Sequence, residues 1–270
     1  MNSIQKLIFK TLLIVALSII IYNLFSKKYF IKEIIDIIPI KIDNLEHPKK
    51  QLNQSIIKYA GFTISYNYKY KQSNWVAYEL KSVHLIKLVK RKNKFTPDPY
   101  LMGLTASDKD YKKTGYDRGH LAPASDMSYS NETMKESFYY SNISPQNQSF
   151  NRGIWKRCEE QVRNWIQDDQ PLYIVTGPIL TKNLNVIGNN RVSIPKYFYK
   201  VVLDYSIPDI KSIAFLIPNI RSNEKLSNYA ISIDSLESLT NIDFFYKLPD
   251  YQEEVIEKNI EIDKWNWKIK

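Results

Sequence analysis

The chain has 270 residues, with 38 Lys and Arg against 28 Asp and Glu and a formal net charge of +10. Seven glycines and 12 prolines exclude a low-complexity or collagen-like chain, and 44% hydrophobic residues suffice for a buried core. The single cysteine, Cys158, excludes an intramolecular disulfide and any multi-cysteine metal site, while the basic balance favours a polyanionic partner, nucleic acid or an anionic membrane surface.

From the N-terminus, residues 7–26 carry no charge apart from Lys10 and are followed by Lys27-Lys28. That approaches the roughly 20 apolar residues that span a bilayer, so residues 1–28 read as a signal anchor or a signal peptide forming an N-terminal hydrophobic helix. Tyr22-Asn23-Leu24-Phe25 is too bulky for a small-x-small cleavage site, which favours an anchor that is kept. Basic residues flank both ends and leave the orientation open. Residues 29–55 read as a linker broken by Pro39 and Pro48, with His47 a solvated loop residue.

The folded domain is expected over residues 56–250. Phe62-Thr63-Ile64-Ser65-Tyr66 alternates, and Trp75-Val76-Ala77-Tyr78-Glu79-Leu80 is β-branched and aromatic, so the two read as paired strands across a polar turn. His84 reads as a structural histidine. Lys81, Lys87, Lys90, Arg91, Lys92 and Lys94 form an acid-free basic stretch suited to phosphate. Residues 131–140 hold a short helix. Residues 151–167 form a longer one, with Ile154, Cys158, Val162, Trp165 and Ile166 on a core face and Cys158 a buried, inert thiol. Leu172-Tyr173-Ile174-Val175 reads as a central strand entering a turn at Thr176-Gly177-Pro178. Residues 197–203 and 213–217 read as buried strands, and residues 232–240 as an amphipathic helix. Residues 251–270 form a charged tail whose two tryptophans, Trp265 and Trp267, have no assigned role.

The densest chemistry lies in Gly115-Tyr116-Asp117-Arg118-Gly119-His120, in Ser141-Asn142, and in Asn151 through Glu159. An imidazole accepts a proton from water near neutral pH, and an arginine beside it supplies a fixed charge shaped for phosphate oxygens. On a regular helix Asn151, Trp155 and Glu159 share one side, presenting amide oxygen, indole and carboxylate in a row. Amide and carboxylate oxygens suit a hard divalent ion such as Mg²⁺, which keeps several waters and needs only one or two protein ligands.

Tyr116-Asp117-Arg118-Gly119-His120-Leu121-Ala122-Pro123 resembles the DRGH signature of the DNA/RNA non-specific endonucleases. Tyr140-Ser141-Asn142-Ile143-Ser144-Pro145-Gln146 and Phe150-Asn151-Arg152-Gly153-Ile154-Trp155 with Glu159 are similar to the family's following blocks in order and spacing. Asn74-Trp75-Val76-Ala77-Tyr78, Thr176-Gly177-Pro178, Ile194-Pro195-Lys196 and Asp243-Phe244-Phe245 extend the likeness over residues 61–248. The resemblance implies an α+β, ββα-metal (His-metal finger) fold, with a central mainly antiparallel sheet flanked by helices. It implies a metal-dependent endonuclease acting on DNA and/or RNA, with Mg²⁺ or Mn²⁺ as cofactor. By position, His120 is the general base, Asn151 the direct metal ligand, Glu159 the residue ordering the metal's waters, Arg118 a phosphate-binding residue and Asn142 a support of the site. An upstream arginine facing the transition state falls on Arg91, with Lys92 or Lys94 as alternatives. Such a protein is expected to be membrane-anchored with its nuclease domain outside the cytoplasm, or secreted or periplasmic; a homodimer is compatible with it. The competing reading is a membrane-tethered nucleic-acid-binding or uptake protein with an inactive nuclease site.

Overall fold

The structure, a computed structural model, describes residues 22, 42–166, 170–207 and 209–268. The expected N-terminal helix, Tyr22 apart, and the first part of the expected linker lie outside these residues. Among the described residues no helix is long and apolar enough to cross a membrane. Ile42–Tyr205 and Ile210–Lys270 form one compact unit; a second grouping, Met1–Lys41 with Ser206–Asp209, falls almost wholly on residues outside those described.

The strands in chain order are β1 (Ser55–Lys58), β2 (Thr63–Asn67), β3 (Gln72–Leu80), β4 (Tyr116–His120), β5 (Ile143–Asn147), β6 (Leu172–Pro178), β7 (Val186–Ile187), β8 (Val192–Ser193), β9 (Tyr197–Asp204), β10 (Lys211–Pro218) and β11 (Ala230–Ile231). Seven of them build a sheet in the order β1-β2-β3-β6-β9-β10-β11, antiparallel at every step, so the expected α+β architecture with a central antiparallel sheet is what forms. The paired strands expected around Thr63 and Trp75 are β2 and β3. Thr176-Gly177-Pro178, expected as a turn, instead continues β6, and all seven residues of that strand are buried.

Side chains alternate between the two faces of a strand, and both faces of this sheet are covered. Val76, Tyr78, Ile174, Phe198, Val202 and Phe215 enter one apolar core with Phe150, Trp155 and Val162 of the helical segment after β5. Trp75, Ala77, Val175, Tyr199, Val201 and Ala214 enter the other, under the helices Ile233–Thr240 and Asp250–Lys258. Sheets buried on both sides read as continuous apolar runs, which is why β6 and β9 stand out in the sequence. Cys158 is fully buried, and burial pushes its thiol up to about 12. His84 stacks on Tyr129 at 4.1 Å, in keeping with a structural role. His47 departs from its expected solvated state: it is half-buried, and burial with the charges of Lys247 and Lys58 pushes its imidazole down to about 4.

The C-terminal tryptophans complete the first core. Trp265 is buried against Trp165 (ring centroids 4.3 Å apart), and Trp267 meets the same ring edge-on at 5.2 Å. Trp165 Nε1 and Gln161 Nε2 both donate to the Asn266 carbonyl, at 2.9 and 3.0 Å. The segment is thus a clasp over the end of the helix Lys156–Asn164. Truncating a buried Trp to Ala typically costs about 3–5 kcal/mol. Trp265→Ala is expected to destabilise the chain by that order in denaturant unfolding, whereas Lys268→Ala, on the exposed side, leaves the midpoint within about 0.5 kcal/mol of its starting stability.

Candidate active site

A two-stranded antiparallel ribbon carries the first half of the site. Gly115, at φ +82, turns the chain into β4, a backbone conformation that glycine adopts without steric cost. In β4, Asp117 pairs with Gln146, Gly119 with Ser144 and His120 with Ile143 of β5. Gly119 does not turn the chain; it lets the ribbon close, since a Cβ there would collide with the Gln146 side chain. Asn142 is fully buried and holds the backbone just after His120. Its Oδ1 accepts from the Ala122 amide (2.9 Å), its Nδ2 donates to the carbonyls of Ala122 (2.9 Å) and Ser137 (2.8 Å), and its own carbonyl accepts from Leu121 N (2.9 Å). Asn142 thus clamps the strand end and does not line the cleft.

The second half comes after β5. Asn147 caps the next turn, its side chain accepting from Ser149 N and Phe150 N. Asn151–Trp155 then form a wide π turn, with Gly153 at φ −109 and ψ −108 outside the helical region, before the regular helix Lys156–Asn164. This corrects the row of three side chains expected from an even helix. Asn151 and Glu159 line the cleft, but Trp155 is 1% exposed and packs inward on Phe150 and Phe198, at 5.4 and 5.7 Å.

Asp117 joins the two halves. Its carboxylate accepts from Asn151 Nδ2 (2.9 Å) and from Nε and Nη2 of Arg152 (both 2.8 Å). A carboxylate only accepts, so the Asn151 amide nitrogen is held toward Asp117 and Oδ1 is the atom turned away from it. Burial alone raises the Asp117 pKa, but the bonds from Arg152 and Asn151 outweigh it and hold the carboxyl below the usual carboxylate range.

His120, Asn151, Glu159, Arg118 and Arg91 all open on one cleft of about 1240 Å³. His120 is 8% exposed, wedged between the rings of Phe138 (4.8 Å) and Phe95 (5.5 Å), and its Nε2 has no hydrogen-bond partner among the described residues. Burial, reinforced by the charge of Arg91, pushes the imidazole down to about 3, so it is neutral at physiological pH. Arg118 lies over the Phe95 ring at 4.4 Å and bonds Asp108, which also accepts from Tyr140 Oη at 2.6 Å. Arg91 is exposed, lies 5.5 Å over Phe138 and donates to Asn93 Oδ1 at 2.7 Å. Of its two alternatives, neither Lys92 nor Lys94 lines the cleft. Lys87, Arg152, Lys156 and Arg163 add to its basic wall, and Arg163 is tied to Asp126 at 2.8 Å.

Glu159 is half-buried, and burial pushes its carboxyl up to about 7 against the opposing pull of Lys200 and Arg163. Lys200 itself is fully buried, with Nζ 5.0 Å over the Trp155 ring. The arrangement thus offers a neutral imidazole, an oriented amide oxygen and a carboxylate beside exposed guanidiniums. The two oxygen donors among these, Asn151 and Glu159, fit a hard divalent ion. Asp117, Asp108 and Tyr140 carry no role expected from the sequence; the only signal for Asp117 is its place in the motif.

The sequence model of the DNA/RNA non-specific endonuclease family matches residues 43–251. The mitochondrial nuclease EXOG of Danio rerio is 35% identical over 211 residues, covering 72% of this chain and 62% of that protein. A nuclease of Nostoc sp. is 31% identical over 215 residues, covering 74% of this chain and 76% of its own length. In the crystal structure of the EndoG/EndoGI complex, the matching chain superposes with a TM-score of 0.68 at 28% identity, over 73% of this chain and 88% of that one. This chain therefore spans somewhat less than two thirds of the Danio rerio relative. With a family match across more than three quarters of its residues, the chain belongs to the DNA/RNA non-specific endonuclease family.

Proposed function

We propose that the chain is a metal-dependent, sugar-non-specific endonuclease that hydrolyses phosphodiester bonds in DNA and/or RNA. The observation that carries this reading is the convergence, on one basic cleft, of a neutral His120 imidazole and the Asp117-oriented amide of Asn151. Asn151 would hold Mg²⁺, or Mn²⁺ in its place, through Oδ1, with Glu159 ordering the ion's waters. When bound, such an ion supplies Lewis-acid stabilisation of charge on the phosphate and a template for the leaving group.

The chain's own residues do the rest. His120 takes a proton from water through its imidazole; a buried, neutral ring is ready for this without first losing a proton. Arg118 keeps its plane on Phe95 and offers donors not used by Asp108 to non-bridging phosphate oxygens, and Arg91 adds charge on the His120 side. Lys87, Arg152 and Lys156 attract the polyanion. These groups address backbone rather than base edges, so little sequence preference results. Residues 1–28 would keep the nuclease domain at or beyond a membrane.

Two variants, metal removal and a titration test the reading. In plasmid digestion by the full chain, EDTA stops cleavage, and His120→Ala lowers the rate by at least about 10²-fold while duplex binding persists; wild-type cutting by the variant would reject the base assignment. Asp117→Asn frees the Asn151 amide to turn, so the Mg²⁺ concentration for half-maximal cleavage rises roughly 10–100-fold, and an unchanged metal dependence would count against the orienting role.

The last outcome concerns protons. The folded His120 lies below the unfolded value of about 6.5. Its contribution to stability is therefore complete above that pH and is lost as pH falls toward 3. NMR of the folded chain should show no His120 titration between pH 8 and pH 5, and a midpoint near 6.5 would contradict the burial argument.

A further inference from the structure

On the sheet face away from the nuclease cleft, the helix Ile233–Thr240 packs beside the helix Asp250–Lys258. Asp234 in the first turn of one helix, Glu237 a turn later and Glu257 near the end of the other each direct a carboxylate oxygen to a common point, no two further than 4.8 Å apart. Glu257 is only 6% exposed, and its buried Oε1 has no hydrogen-bond partner among the described residues. Glu237 receives the Phe244 amide at 2.6 Å, which satisfies one of its oxygens. Asp243 and Glu253 add further negative charge around the group, and the nearby Lys49 is engaged with Asp243 at 2.8 Å. In a chain of net charge +10 this is a concentrated acidic cluster.

A buried carboxylate is costly unless it is paired, hydrogen-bonded or coordinating a metal. We propose that Asp234, Glu237 and Glu257 form a second cation site, distinct from the nuclease centre, that takes Ca²⁺ and ties the two helices together. Ca²⁺ accepts oxygen ligands at about 2.3–2.6 Å in loose geometry, so oxygens on opposite sides of it stand up to about 4.6–5.2 Å apart. The three oxygens already lie within that reach of one another. Asp234 is exposed, which leaves an entry path and room for water on the outer side. An ion bound only by the folded state raises stability in proportion to the logarithm of its concentration over Kd.

The site is separable from the proposed nuclease function, and the test keeps them apart. The full chain carrying Asn151→Ala, which lacks the amide ligand of the nuclease cleft, is titrated with CaCl₂ by calorimetry and followed by thermal unfolding. One equivalent of Ca²⁺ should bind with a sub-millimolar Kd and raise Tm. Adding Asp234→Asn, an exposed change that leaves the core untouched, should weaken binding at least about ten-fold through the lost ligand charge. Glu257→Gln should do the same while raising Tm in the absence of Ca²⁺. Absence of binding, or an affinity indifferent to both substitutions, would overturn the proposal. So would a Tm that rises on acidification from pH 8 to pH 6 but not with Ca²⁺, since a proton on Glu257 would then be what settles the cluster.

Discussion

The carboxylate of Asp117 takes three hydrogen bonds from one short piece of chain, two from Arg152 and one from Asn151. Asp117 stands on the strand that ends in His120, while Asn151 and Arg152 open the helical segment that carries Glu159. The bonds therefore set the distance and angle between imidazole and amide, and they also decide which atom of the amide faces outward. Charge-assisted bonds of this kind are roughly twice as strong as neutral ones. A single anion is thus the mechanical joint of the site.

Around that joint the fold removes freedom. Asn142 fixes the backbone on the far side of His120 by four hydrogen bonds, and the absence of a Cβ at Gly119 lets Gln146 lie across the ribbon. Phe95 and Phe138 fix the plane of the imidazole, and the same rings support Arg118 and Arg91. The aromatic wall serves two ends: it desolvates the imidazole and keeps it neutral, and it gives each guanidinium a face to rest on. The charged edge of the cleft and its apolar floor are consequently one construction.

Much of this was legible in the sequence, because the parts concerned are local. The two-sided burial of β6, β9 and β10 makes continuous apolar runs, and the residues of the central motif are close enough in sequence to be read as a unit. The hidden parts depend on distance or on irregularity. Asp117 meets Asn151 across 34 residues, and Trp165 meets the carbonyl of Asn266 across 101, so neither partner is visible from its neighbours. Trp155 was misplaced because a period of 100° per residue was carried through Asn151–Trp155, where the chain is wider than an α-helix. Pro178 hid the end of β6 because proline reads as a break, yet a strand terminus tolerates it.

The wide turn also governs how this chain tolerates change. Each residue of a helix rotates the next about the axis by about 100°. Asn151 and Glu159 reach the same cleft only with the present number of residues between them, counted through a turn that is not standard. Loss of one residue between Lys156 and Glu159, inside the regular helix where no wide turn absorbs it, would rotate the carboxylate about 100° around the axis and away from the cleft. Between Asn151 and Glu159 the register of the chain, as much as its spelling, is what brings amide and carboxylate to one cleft.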